Sequence, residues 1–126
     1  VMPFRDKSID KIGLHCSFEH FEKDSDVSLI DEAYRILKKG GKMCILPLYL
    51  NDKYSVVTNP SITGDCQFEK DAVVHCAWDF YNRFARFYDA DHLRRRAGEA
   101  LKIYNVKNLD SVKGFTYCQF IAVLEK

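Results

Sequence analysis

The sequence predicts an α/β fold with a mixed sheet, in which parallel strands are joined by a helix and an antiparallel strand pair closes the chain. Three observations lead there. Residues 25–39 repeat apolar side chains at helical spacing. Residues 42–49 form a nearly continuous apolar run, the pattern of a central parallel strand buried on both faces. Two further apolar runs near the carboxyl terminus are separated by a short turn-like segment, which suits an antiparallel pair.

Composition sets the frame. The chain has 126 residues, 47% hydrophobic and 29% charged, which excludes a collagenous or extended disordered chain and suits one domain. Nineteen Lys and Arg face 18 Asp and Glu, a net charge of +1, so nothing points to nucleic acid or an anionic membrane surface. The Arg94-Arg95-Arg96 run reads as a solvated helix face. No apolar stretch reaches the ~20 residues of a membrane helix. The longest, Met43 to Leu50, is broken by Pro47. The amino terminus is charged early, unlike a signal peptide. A start at Val1 suggests that the sequence does not open at a natural start, although Met2 could be one. The five cysteines, Cys16, Cys44, Cys66, Cys76 and Cys118, are widely spaced and include no C-x-x-C. That pattern speaks for a reducing, cytoplasmic setting with no structural metal.

Each element follows in order. Ile9, Ile12, Leu14 and Cys16 supply a short strand, which runs into the polar stretch His15-Cys16-Ser17-Phe18-Glu19-His20. Asp24 or Ser25 then caps a helix over roughly 25–39, with Asp26 adding negative charge to its first turn. Ile30, Ala33, Tyr34 and Leu37 form its apolar stripe, widened by Leu29 and Ile36. Lys38 and Lys39 suit its carboxyl end, and Gly40-Gly41 its stop. Residues 42–49 complete a βαβ unit, with Pro47 near the end of the strand.

Residues 51–68 read as a long loop with turns at Asn59-Pro60 and Gly64-Asp65, of the length that often serves as a lid. In 69–88, Val74, Ala77, Trp78, Tyr81 and Phe84 allow a helical face, while Arg83 to Tyr88 also allows extended chain. The aromatics from Trp78 to Tyr88 suit core and pocket wall rather than a base-stacking platform. Asp89 or Asp91 caps a second helix reaching about Ala100, and strands follow at 101–106 and 115–124, joined by a turn from Asn108 to Gly114.

In open α/β sheets ligands bind beyond the carboxyl ends of the strands, which places His15 to His20 where chemistry is expected. The stretches MPFRDKSIDKIGLHCSFEHF and LIDEAYRILKKGGKMCILPLYL resemble the middle of a class I S-adenosylmethionine-dependent methyltransferase of the type 11 kind. In that family an LPF-x-D-x-SFD-x-I segment leads into a strand, an EH loop follows, and a helix ends in E-x-x-R-x-LKPGG. Pro3, Phe4, Asp6, Ser8 and Asp10 match, with Ile9 in place of Phe. Glu19-His20, Glu32, Arg35, Leu37, Lys38, Gly40 and Gly41 match, with Lys39 in place of Pro. The resemblance covers about residues 2–50. It implies the C-terminal part of a Rossmann-like doubly wound sheet and S-adenosylmethionine as cofactor. The family's glycine-rich donor turn is missing, since no G-x-G occurs in these residues. A seven-stranded domain of this kind needs roughly 180 residues, so the chain is expected to be its second half and inactive by itself.

The resemblance also implies roles. Asp6 would lie near the adenine end of the cofactor, or serve turn chemistry with Asp10. His15 and Cys16 would lie beside the donor, or fill structural and core positions. Ser17, Glu19 and Tyr49 would contact a small-molecule or sugar-like acceptor. His20 is the candidate general base, since imidazole titrates near neutrality in general, although Glu19-His20 equally suits a loop-organising role. No catalytic triad is expected, because methyl transfer depends mainly on proximity and alignment. Two other readings stand beside this one: a non-catalytic module that self-associates or binds a partner through an open sheet edge, and a redox or metal module built on the cysteines.

Overall fold

The computed structural model describes residues 1–61, 66–106 and 118–126. Strand β1 spans Ile9–His15, and a 3-10 turn spans Phe18–His20. Helix α1 (Ser25–Ile36) leads into β2 (Leu37–Leu48). Three short strands follow: β3 (Ser55–Thr58), β4 (Val73–Cys76) and β5 (Phe84–Phe87). Helix α2 (Ala90–Ala97), β6 (Leu101–Asn105) and β7 (Phe120–Glu125) complete the described chain.

The strands form two sheets. The larger has the order β1-β2-β7-β6, with β1 and β2 parallel and the β2–β7 and β7–β6 pairs antiparallel. The smaller has the order β4-β3-β5, with β4 parallel and β5 antiparallel to β3. The expected α/β class, parallel unit and antiparallel closing pair are all present, and the mixed sheet is consistent with a Rossmann-like fold. The expected turn from Asn108 to Gly114, with residues 115–117 of the last strand, lies outside the described residues.

Helix α1 forms for the reasons its spacing gives. Ile30, Ala33 and Ile36 are buried and join the core, while Tyr34 turns outward under the Lys126 ammonium, 5.1 Å from its ring centre. The helix is shorter than its pattern suggests. Leu37 is extended, fully buried and paired with Ile9, so the chain becomes strand before the lysines. Lys38 and Lys39 therefore belong to β2, not to the last helical turn. The Gly-Gly pair forms a bulge: the register moves from Ile9↔Leu37 to Lys11↔Lys42, and Gly40 takes φ +77°. A Cβ on Gly41 would meet the carbonyl oxygens of Lys38, Asp10 and Ile9 at 2.9, 3.1 and 3.2 Å.

Strand β2 is central, as expected, but its two faces differ. Met43 and Ile45 are buried, whereas Cys44 and Leu46 are only half-buried. Residues 51–68 are not all loop, because Ser55–Thr58 is the middle strand of the smaller sheet. Residues 69–88 hold no helix among those described; they supply β4 and β5. Trp78 and Tyr81 are 75% and 96% exposed, so neither is core or pocket wall. Phe84 and Tyr88 do enter the core.

The second helix stops at Ala97, where Gly98 takes φ +68°. Asp89 caps it, accepting from the His92 amide at 2.7 Å. One apolar cluster joins Ile30 and Ala33 of α1, Met43 and Ile45 of β2, Leu93 of α2 and Leu124 of β7. No helix among the described residues is long and apolar enough to cross a membrane.

Candidate active site

The two parallel strands end together. His15 pairs with Leu46, and the Cys16 amide donates to the Leu46 carbonyl at 3.0 Å. Cys16 then takes φ +47°, a left-handed conformation that costs a non-glycine residue about 1–2 kcal/mol. This sharp exit ends the strand and starts the Phe18–His20 turn, where the His20 amide donates to the Ser17 carbonyl at 3.0 Å.

Aromatic packing seats the turn. Phe18 is buried and stacks on Tyr88, with ring centres 5.5 Å apart. Tyr88 follows β5, so the smaller sheet holds the turn against the larger one. A backbone bridge between Leu50 and Tyr88 strengthens that junction. Tyr49 follows β2 and packs against Phe87, 5.6 Å between ring centres.

Two polar side chains of the turn lie close together. The His20 ring places Nδ1 2.6 Å from the Phe84 carbonyl oxygen. A carbonyl can only accept, so Nδ1 donates and the neutral ring keeps its lone pair on Nε2. Nε2 lies 3.7 Å from Glu19 Oε1. Glu19 is only 7% exposed, and its Oε2 has no hydrogen-bond partner. Desolvation raises the Tyr49 hydroxyl pKa, and the nearby Glu19, Cys16 and Cys118 add to the rise. The Cys118 thiol is pushed up by burial and by its neighbours Cys44 and Cys16. The edge thus gathers His15, Cys16, Ser17, Glu19, His20 and Tyr49, together with Cys118 from beside β7. His15 Nε2 sits 3.8 Å from Cys16 Sγ.

Asp6 is not with them. It precedes the amino-terminal end of β1, and a seven-residue strand puts roughly 20 Å between the two ends. Its carboxylate accepts from Arg35 Nη1 at 2.6 Å. Arg35 also donates to Glu32 and to the Met2 and Phe4 carbonyls, so this group ties the first residues to α1. Asp10, likewise at that end, pairs with Lys38 at 2.8 Å.

Sequence spacing showed neither the Phe84 carbonyl that orients His20 nor the Phe87 ring against Tyr49. Both come from a strand more than 60 residues beyond the turn. Among the described residues no group of three or more His, Cys, Asp or Glu is placed to hold a metal.

The edge fits part of a donor site. Its side chains are thiol, hydroxyl, imidazole and carboxyl, and a cationic sulfonium suits their dipoles and the buried acid of Glu19. The glycine-rich turn of a complete donor site is not in this sequence.

The sequence pattern of the methyltransferase domain family matches residues 1–45. No curated protein matches the chain significantly. Among solved structures, it is similar to a SAM-dependent methyltransferase of Thermotoga maritima, described as a "possible histamine N-methyltransferase". The two are 19% identical with a TM-score of 0.45, over 100% of this chain and 60% of that one. The chain thus spans about 60% of that protein's length. Residues 1–45 are thus similar to a methyltransferase domain.

Proposed function

We propose that the carboxyl edge of β1 and β2 forms the acceptor side of a methyltransferase active site acting on a small-molecule or sugar-like acceptor. The orientation of His20 carries this reading. Its Nδ1–H is spent on the Phe84 carbonyl, so Nε2 is left as the base that takes the proton leaving the acceptor. Glu19 beside it stabilises the imidazolium that results. Ser17 and Tyr49 border the acceptor with hydroxyl groups. His15 and Cys16 line the donor side, whereas Asp6, at the other end of the sheet, acts as a tether. S-adenosylmethionine, when bound, supplies an already activated methyl group. The residues here need only align the acceptor, exclude water and receive one proton.

Calorimetry tests the reading. The full-length protein carrying these residues should bind S-adenosylhomocysteine, and this 126-residue chain should bind it weakly and show no turnover. Absence of binding by the full-length protein would sink the proposal, and turnover by the short chain would overturn its inactivity.

A second reading rests on one observation. Among the described strands β1 has a neighbour on one side only, so its outer backbone groups are open to pairing. In that case the chain is a non-catalytic module that self-associates or takes a partner through this edge. Light scattering showing a monomer at high concentration would count against self-association. The cysteine pattern supports a cytoplasmic setting for either reading.

A further inference from the structure

The smaller sheet carries a cavity on the face turned away from the core. Strand β3 lies between β4 and β5, with Ser55 paired to Val73 and Phe87, and Val57 paired to His75 and Ala85. Side chains alternate along a strand, so these residues share one face. Val56, Thr58, Phe84 and Arg86 belong to the other face and are buried. On the first face Asn51, Asp52, Lys53, Ser55, Val73 and His75 line a cavity of about 480 Å³, open to solvent on one side. Sites for small molecules span roughly 300–1,000 Å³. None of the six residues belongs to the candidate methyltransferase edge, so the cavity stands apart from the methyl-transfer reading.

The lining is short of partners. Ser55 is only 5% exposed, and its hydroxyl oxygen meets the Asn51 side-chain nitrogen at 3.4 Å, longer than a usual hydrogen bond. That nitrogen only donates, so among the described residues the Ser55 hydroxyl hydrogen has no acceptor. The Asn51 backbone is fixed, because its amide donates to the Tyr88 carbonyl at 2.8 Å. Its side chain keeps a carbonyl oxygen and a second amide hydrogen to offer. The side chains of Asp52, Lys53 and His75 make no hydrogen bond or ion pair among the described residues. A phosphate only accepts, and would face the Asp52 carboxylate and the Asn51 carbonyl. An amine cation only donates, and would face the Lys53 ammonium. A hydroxyl does both. Two neighbouring ring hydroxyls match the donor and acceptor of one Asn amide, and the exposed Val73 offers apolar surface to the C–H face of such a ring.

We propose that this cavity binds a sugar ring through adjacent hydroxyl groups, held by the Asn51 amide and the Ser55 hydroxyl against Val73.

The test titrates methyl β-D-glucopyranoside and methyl β-D-ribofuranoside, a pyranose and a furanose, into the isotope-labelled full-length protein. Amide NMR shifts report binding, with cyclohexanol and inorganic phosphate as comparisons. At least one glycoside is expected to shift the Asn51, Ser55 and Val73 amides saturably at millimolar concentration, and which one does so tells the two ring types apart. Ser55→Ala and Asn51→Ala should each weaken it about threefold to tenfold, the worth of one neutral hydrogen bond. Asn51 is exposed, so its variant carries the test even if Ser55→Ala fails to fold. No saturable shift with either glycoside overturns the proposal, as does unchanged affinity in Asn51→Ala. Cyclohexanol binding as tightly as the glycosides would reduce the cavity to an apolar cleft, and tighter binding of phosphate would make it an anion site; either result overturns the proposal.

Discussion

Asp26 of α1 and Arg86 of β5 form an ion pair closed to solvent, with Nη1 2.8 Å from Oδ2. The Tyr88 hydroxyl donates to the same oxygen at 2.6 Å, and Arg96 of α2 donates to both oxygens at 2.7 Å. Glu69 accepts from Arg86 and Arg96 on the far side. This network joins the helix of the parallel unit to the smaller sheet and to α2. It is thereby the frame that holds Phe84, Phe87 and Tyr88 against the candidate site.

Removing the acid should loosen that frame. Asp26→Asn leaves Arg86 buried without its charge partner, and such a break costs roughly 3–5 kcal/mol. Urea denaturation should show the loss, and Asp26→Asn combined with Arg86→Met should recover part of it. A variant as stable as the parent would show that Glu69 and the Lys23 carbonyl satisfy Arg86 without Asp26.

Acid should act on the same contacts. Burial pushes the Asp26 pKa up, but hydrogen bonds from Arg96 and Tyr88 and the arginine charges outweigh it, leaving the pKa below 3.8. Glu32 is drawn down to about 2, chiefly by its hydrogen bond from Arg35. Asp89 is lowered mainly by the His92 amide. Each group binds protons more readily in the unfolded chain. Their contribution is therefore complete above pH 4.5, the higher of the ordinary values, and is lost as pH falls through the lower folded ones. Thermal melts should change little through these groups between pH 7 and 4.5 and fall steeply below. A steep fall already between pH 7 and 5 would contradict this.

Gly41 should not accept a side chain. A Cβ there would meet three backbone carbonyl oxygens at 3.2 Å or less, and backbone cannot swing away. Gly41→Ala should cost about 1–3 kcal/mol by overpacking. Gly13, whose Cβ would meet nothing within 4 Å, is the control expected to tolerate alanine.

Lys23 offers the opposite case. Its side chain is exposed, its φ is +53°, and its carbonyl accepts from Arg86 and Arg96. Lys23→Gly should relieve about 1–2 kcal/mol of left-handed strain, less roughly 0.4–1 kcal/mol for the freer unfolded chain. A small rise in melting temperature is expected, with Lys23→Ala unchanged.

His20 provides the catalytic test. His20→Gln in the full-length protein should lower turnover by about 10²–10⁴-fold, the usual worth of a positioned base. S-adenosylhomocysteine affinity should be unaffected. A turnover within a few fold of the parent would restrict His20 to organising the loop.

Local pattern was enough for β1, α1, β2 and the closing strand pair, because helical and strand periodicity report burial within a short window. It failed where a short strand is held by distant partners. Ser55–Thr58 read as loop and Val73–Cys76 as part of an ambiguous aromatic segment, since four residues carry no period of their own. The boundary at Leu37 also escaped, because the pairing that extends it comes from Ile9.

Reading along the chain was enough for the parallel unit and for the position of the Glu19-His20 turn at its carboxyl end. Those are properties of spacing along the chain. Only the tertiary structure decided that Phe84, 64 residues from His20, fixes which imidazole nitrogen is free. It also decided that Asp6 lies at the far end and that one oxygen of Glu19 is buried without a donor. Hydrogen-bond satisfaction in a closed interior depends on which segments meet in space, and spacing along the chain does not report that.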